Sequence, residues 1–300
     1  MSPSPWLLQL LLLCAGLLLA TRLTAAPVLL SGTDSPAARA FSAALAERRP
    51  QDQVRFLPLS ELRRGPPPSV DTRLVLLGED ALSWRLGISQ GPPSLVLRIS
   101  RVQAQRLLGA GRPRGISLLW SDPAPARQLR LAHLLLPQAK RIGVLHGTHS
   151  QFLLAELQQA AEPLGLTIVG QLWSDVRDNR PLLAVLKNSD LLLGLDVPEL
   201  YNSQTVKSLL LTSYAQERAL LGPSAAFVRA GSLASSYSDQ DDWLATLDGL
   251  LDQPPQHWPQ SLYPSHFKVL GNHQVARALG IRLADDAELA RQLAAGENSP

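Results

Sequence analysis

Short, nearly unbroken apolar runs recur along the chain, each followed by small or polar residues and then by apolar positions three and four apart. The clearest instance spans residues 134–169. Pro137 ends one helical pattern, an apolar run follows at 141–145, and His146-Gly147-Thr148-His149-Ser150 is small and polar. Leu153, Leu154, Leu157, Ala160, Ala161 and Leu164 then recur at helical spacing until Gly165, after which 166–169 is apolar again. This spacing predicts a strand, a loop, an amphipathic helix and a second strand. Strands joined in this way run parallel, and ligands of open parallel sheets sit at the carboxyl ends of the strands, here the loop 146–150.

The same alternation fills the rest of the chain. Strands are predicted at 27–31, 54–57, 73–77, 94–99 and 115–120, with helices at 37–48 and from 81 onward. Asp34 or Ser35 is placed to cap the first of these helices. The stretch Arg63-Arg64-Gly65-Pro66-Pro67-Pro68 cannot be helical and reads as an extended surface connection. Pro123 opens a helix with Leu129, Ala132, Leu135 and Leu136 on one face. Helices at 181–186 and 206–218 then alternate with strands at 190–195, 219–221 and 232–237, and Asp239, Gln240 and Asp241 begin an acidic first turn of a helix to 251. The fold class is therefore α/β with two similar halves, and residues 120–122 and 235–238 are the expected crossings between them. Residues 232–236 look too polar for a buried central strand, which predicts a hinge that also lines a cleft.

Composition excludes several classes. With 300 residues, 45% of them hydrophobic, the chain can bury a full core in two lobes. The net charge of +3 comes from 28 basic against 25 acidic residues without a basic run interleaved with aromatics, so nucleic acid is not an expected partner. Residues 6–20 form an apolar run of signal-peptide length, shorter than a comfortable membrane span, with a cleavage site at Thr24-Ala25-Ala26. Residues 1–26 are thus expected to be a signal peptide, a marginal membrane anchor being the alternative, and the localisation periplasmic. Cys14 lies inside this run, so a chain starting at Pro27 has no disulfide. No GxSxG, P-loop, HExxH or dinucleotide fingerprint occurs; neither an enzyme nor a cofactor is expected.

Five segments carry a family resemblance: LLPQAKRIGVL, AELQQAAEPLGLTIV, DLLLGLD, VRAGSLASSYSD and HFKVLGNHQVARALGI. In this order they resemble the ABC-transporter substrate-binding proteins of the type I periplasmic binding protein fold. More narrowly, they are similar to the subgroup whose better understood members bind aromatic amino acids or other small organic ligands. The resemblance implies two Rossmann-like lobes with parallel sheets, joined by a three-crossing hinge and closing on a ligand. It places an N-terminal lobe at 27–120 with the helix 239–252, a C-terminal lobe at 121–236 with 263–283, and a tail at 284–300. The implied partners are a small-molecule ligand and an ABC permease or a membrane sensor, with the protein a monomer.

Carried over position by position, the resemblance points to Ser31 and Thr33 after the first strand and to Glu79 after the third. It adds Ser121 and Asp122 at the first crossing, His146 and Thr148 in the 146–150 loop, Asp196 and Asn202 after the strand 190–195, Ser224, and Ser236 at the last crossing. The chain departs from the family pattern at Gly194-Leu195-Asp196-Val197-Pro198 and at His146-Gly147-Thr148, which leaves the ligand of better known relatives untransferred. The residue types themselves admit two readings. His146 and His149 could share a metal or form a polar loop. Asp196 could hold a ligand ammonium, act as a base or cap a helix; Glu79 and Asp80 could cap a helix or meet ligand. Trp173, Trp243 and Trp258 could stack a ligand or pack in a core.

Overall fold

The computed structural model describes residues 27–297 apart from 110 and 112, and its strands form two six-stranded sheets. The signal-peptide expectation and Cys14 lie outside the described residues. The first sheet holds β1 (Val28–Gly32), β2 (Arg55–Pro58), β3 (Arg73–Leu77), β4 (Ser94–Ile99), β5 (Ile116–Trp120) and β11 (Ser261–Leu262). Its order is β11-β5-β4-β3-β1-β2, all parallel. The second holds β6 (Arg141–His146), β7 (Thr167–Leu172), β8 (Leu191–Leu193), β9 (Ala219–Leu221), β10 (Ala234–Tyr237) and β12 (Lys268–Gly271), ordered β12-β10-β9-β8-β6-β7. Only β12 runs antiparallel there, against β10. Ignoring the two late strands, both sheets follow one doubly wound order, in which the first strand lies between the second and the third. The crevice of each lobe therefore opens at the carboxyl ends of its first and third strands.

Strands covered on both faces need continuous apolar sequence, and β3 shows how it is divided. Val75 and Leu77 join a core with Phe41 and Leu45 of α1 (Pro36–Arg48) and Leu244 and Leu247 of α10 (Gln240–Leu251). Leu74 and Leu76 face the opposite core, with Leu59 and Leu62 of α2 (Leu59–Leu62), Ala81 and Leu82 of α3 (Glu79–Leu86) and Ala104 of α4 (Arg101–Leu108). Local signals set the helix starts: Ser35 accepts from the Ala38 N–H at 3.1 Å, and Ser100 forms a capping box with Gln103 at the head of α4. Gly32, at the end of β1, lies so close to β3 that an added Cβ would sit 2.8 Å from that of Leu77. The second sheet is covered by α5 (Pro125–Leu135), α6 (Leu153–Ala161), α7 (Arg180–Asn188), α8 (Val206–Ala215), α9 (Ala225–Ala230), α11 (His273–Ala278) and α12 (Asp286–Glu297).

The chain passes between the lobes three times, at 121–124, 238–239 and 263–267. Three expectations need correction. Trp120 and residues 235–237 belong to sheets, so the crossings start later than the polar pattern suggested. The polar segment does lead into a buried strand, β10 at 234–237, where Ser235 and Ser236 are inaccessible. Gln128 of α5 makes this possible, because its side-chain oxygen accepts from the Ser236 N–H at 3.1 Å and from the Ser236 hydroxyl at 3.2 Å. Finally, the expected tail from 284 contains α12, which packs on β12 and α5. Buried Arg127 lies 3.7 Å from the Phe267 ring centroid and binds Glu297 through two nitrogens at 2.6 and 2.9 Å, fixing that helix to the third crossing.

Candidate ligand-binding cleft

The expected site residues stand at strand ends, but their side chains have different roles. Ser31 is buried at the end of β1, and its hydroxyl has no hydrogen-bond partner. Thr33, Ser121 and Thr148 are exposed, and Glu79 opens α3 with a carboxylate oxygen 3.9 Å from Arg106. His146 is buried, with its ring Nδ1 3.3 Å from the Gly147 carbonyl, while His149 is exposed. Among the described residues no three His, Cys, Asp or Glu side chains come together as a metal-binding group. Asn202 is occupied in its own loop, accepting from Gln204 and Thr205 N–H groups and donating to Pro198 and Glu199 carbonyls. Ser224 precedes α9 without a side-chain cap bond. Ser236 does not line the cleft; it is inaccessible and bonded to Gln128.

The three tryptophans also resolve to packing. Trp173, Trp243 and Trp258 donate their indole N–H groups to the carbonyls of Asp178, Ser238 and Leu250. Asp196 caps no helix: it lies in an irregular loop after β8, and no group among the described residues bonds its carboxylate.

Asp122 and Asp196 are brought together at the first crossing, around a space of about 20 Å³ shared with Pro123, Leu153 and Leu195. That size takes one water molecule. Burial, reinforced by the charge of Asp196, pushes the Asp122 carboxyl up to about 7, although one of its oxygens accepts from the Arg101 N–H at 3.0 Å. Burial raises Asp196 as well. Two carboxyls facing one small buried space resist carrying two negative charges.

Beside this pair lies a group that the sequence reading did not single out. Arg101, the first residue of α4, reaches from the first lobe to Glu156 of α6 in the second, with nitrogen–oxygen distances of 2.9 and 2.7 Å. The same guanidinium donates to the Tyr263 hydroxyl of the third crossing at 2.7 Å. It lies 5.4 Å from the Trp120 ring centroid and 5.7 Å from that of Phe152. Burial works to lower the Arg101 pKa, but the bonds to Glu156 and Tyr263 outweigh it and leave it raised. Burial, with the charge of Asp122, raises the Tyr263 phenol, which stays protonated. Behind these side chains a cavity of about 330 Å³ runs between α4, β5 and β11. A second interlobe pair joins Arg106 to Glu199 at the rim. The signal for Arg101 was its position: it follows the strand 94–99 just as Asp122 follows 115–120.

No protein-family model matches the chain, and no curated protein matches it in sequence. Solved structures do. The ligand-free, open structure of a substrate binding protein with adhesive properties from Clostridium difficile superposes with a TM-score of 0.62 at 14% identity, covering 86% of this chain and 95% of that one. The ABC domain from Streptococcus pneumonia in complex with L-tryptophan gives 0.58 at 17% identity, covering 88% and 96%. A conserved domain protein from Vibrio cholerae gives 0.58 at 16%, covering 89% and 98%. The fold is that of ABC-transporter substrate-binding proteins. In this two-lobed fold the Arg101–Glu156 bond spans the lobes, and the Asp122–Asp196 pair lies where the first crossing meets the second lobe.

Proposed function

We propose that the protein captures a small organic solute between its two lobes as the exported, monomeric binding component of an ABC-type transport system. A permease or a membrane sensor reads its closed form, and no covalent chemistry is involved. The observation that carries this reading is the cavity of about 330 Å³ whose walls come from both lobes and a crossing segment, through Glu156, Arg101 and Tyr263. Concave, mostly apolar spaces with a few convergent polar groups are how small solutes are held. The extracytoplasmic setting is supported by the apolar leader pattern at 6–20, and no helix among the described residues is long and apolar enough to cross a membrane.

A thermal-shift screen of solute classes on the purified protein tests the proposal. A solute at 100 times its dissociation constant adds about 2.7 kcal/mol and raises the midpoint visibly. One observation favours a second reading, that of an exported accessory or sensory protein: Arg101–Glu156 and Arg106–Glu199 join the lobes directly through the chain's own side chains. Absence of any stabilising solute class decides for that reading.

A further inference from the structure

We propose that the cavity behind Arg101 takes a neutral, flat solute with an amide-like hydrogen-bonding edge, and that the Arg101–Glu156 pair turns away charged solutes. This rests on the solute-binding reading and adds the class of solute. Ala104, Leu108, Ile116 and Leu118 supply apolar lining to the cavity, while Trp120 and Phe152 stand at the guanidinium. Both rings already accept one flat delocalised group, the guanidinium itself, against them. The volume of about 330 Å³ suits a small ring compound rather than a long chain.

The electrostatics select against charge. The lining carries one cation and one anion in contact at 2.7 Å, so it offers an incoming ion no net complement. A solute carboxylate would have to take Arg101 from Glu156 and leave that carboxylate unpaired in a half-buried place; a solute cation would strand Arg101 in the same way. The acid pair Asp122 and Asp196 faces its own small space and is not part of this lining. What remains uncommitted is neutral. Half-buried Gln105 and exposed Gln260 are among the lining residues, and their side-chain amides make no bond among the described residues. The Tyr263 hydroxyl accepts from Arg101, and its own proton has no acceptor there. An edge that both donates and accepts complements these groups without disturbing the ion pair.

Benzamide, benzoate and benzamidine share one shape and differ in charge, so their dissociation constants, measured by ligand-observed NMR on the purified protein, isolate this selection. Benzamide is expected to bind at least tenfold more tightly than either ion. Glu156→Gln leaves a net cation in the wall and should improve benzoate relative to benzamide by tenfold or more; Arg101→Gln should do the same for benzamidine. Either ion binding the unaltered protein as tightly as benzamide overturns the inference, as does an unchanged order in both variants. If none of the three binds while another solute raises the thermal midpoint, the class is wrong and solute binding stands. If no solute of any class binds, both fall.

Discussion

Gln128 and Arg101 each gather polar groups from distant parts of the chain, yet they leave different amounts of bonding capacity open. Around Gln128 the circuit is closed. Its amide nitrogen donates to the Gly222 carbonyl at 3.1 Å and lies 3.4 Å from the Ser235 hydroxyl, its oxygen serves Ser236, and the Ser235 hydroxyl donates to the Ser236 carbonyl at 3.0 Å. Around Arg101 the circuit is open: the Tyr263 proton and the amides of Gln105 and Gln260 have no partner among the described residues. A buried polar cluster with every bond made holds strands in place. One with spare donors and acceptors beside a cavity is equipped to hold something else.

The sharpest break of this contrast is Gln128→Leu. It strands the Ser236 N–H and hydroxyl and the Gly222 carbonyl in an inaccessible strand, at about 1–3 kcal/mol for each unsatisfied group. The expected loss is about 4 kcal/mol of unfolding free energy in urea. A loss below about 1 kcal/mol would show that the closed circuit is not what holds β10 in the sheet.

Asp122→Asn probes the open side through pH. The folded-state pKa of about 7 lies above the carboxylate value of an unfolded chain, so the folded state binds the extra proton between roughly pH 4 and 7. Stability from this group is present at low pH and is lost as pH rises through 7. An asparagine still accepts from the Arg101 N–H but does not titrate. Its stability advantage over aspartate at pH 8 should exceed that at pH 4 by on the order of 3 kcal/mol. Parallel stability–pH curves for the two proteins would refute the burial of an ionised Asp122.

These two clusters also mark how far the sequence could be read. Runs such as 73–77 and 190–195 declare buried parallel strands, because only continuous apolar residues suit a sheet covered on both faces, and the helix starts at Ser35 and Asp239 carry caps. The polar residues of 232–236 argue against a buried strand, yet β10 is one, because Gln128, more than 100 residues earlier, bonds Ser236, which no local pattern can show. The rule of strand ends pointed to Asp122 and Asp196, which face one small space, and equally to Asn202 and Ser236, whose side chains are spent on bonds within the chain. Glu156 and Tyr263 lie 55 and 162 residues from Arg101, so their meeting is a product of lobe packing alone.

Ser236→Ala sharpens the comparison at a smaller scale. It removes a hydroxyl whose partner, the Gln128 oxygen, keeps the Ser236 N–H, so about 1 kcal/mol of stability should be lost and solute affinity should stay the same. A tenfold change in the affinity of an identified solute would return Ser236 to the cleft.

The smallest effect is expected at the rim. Arg106 bonds Glu199 across the lobes as Arg101 bonds Glu156, but here both side chains are more exposed, 33% and 48% accessible against 20% and 34%. Solvent screens the rim pair, and ordering two long side chains costs entropy that offsets the attraction; exposed pairs contribute about 0.2–1 kcal/mol. Arg101 adds two aromatic faces and a phenol to its ion pair, none of which Arg106 is known to touch. Arg106→Ala should therefore change the unfolding free energy by less than about 1 kcal/mol and, in small-angle scattering, leave the radius of gyration unchanged. Arg101→Ala should open the lobes and enlarge it. If the rim substitution alone expands the particle, closure is held at the rim and the interior cluster is a consequence of closure rather than its cause.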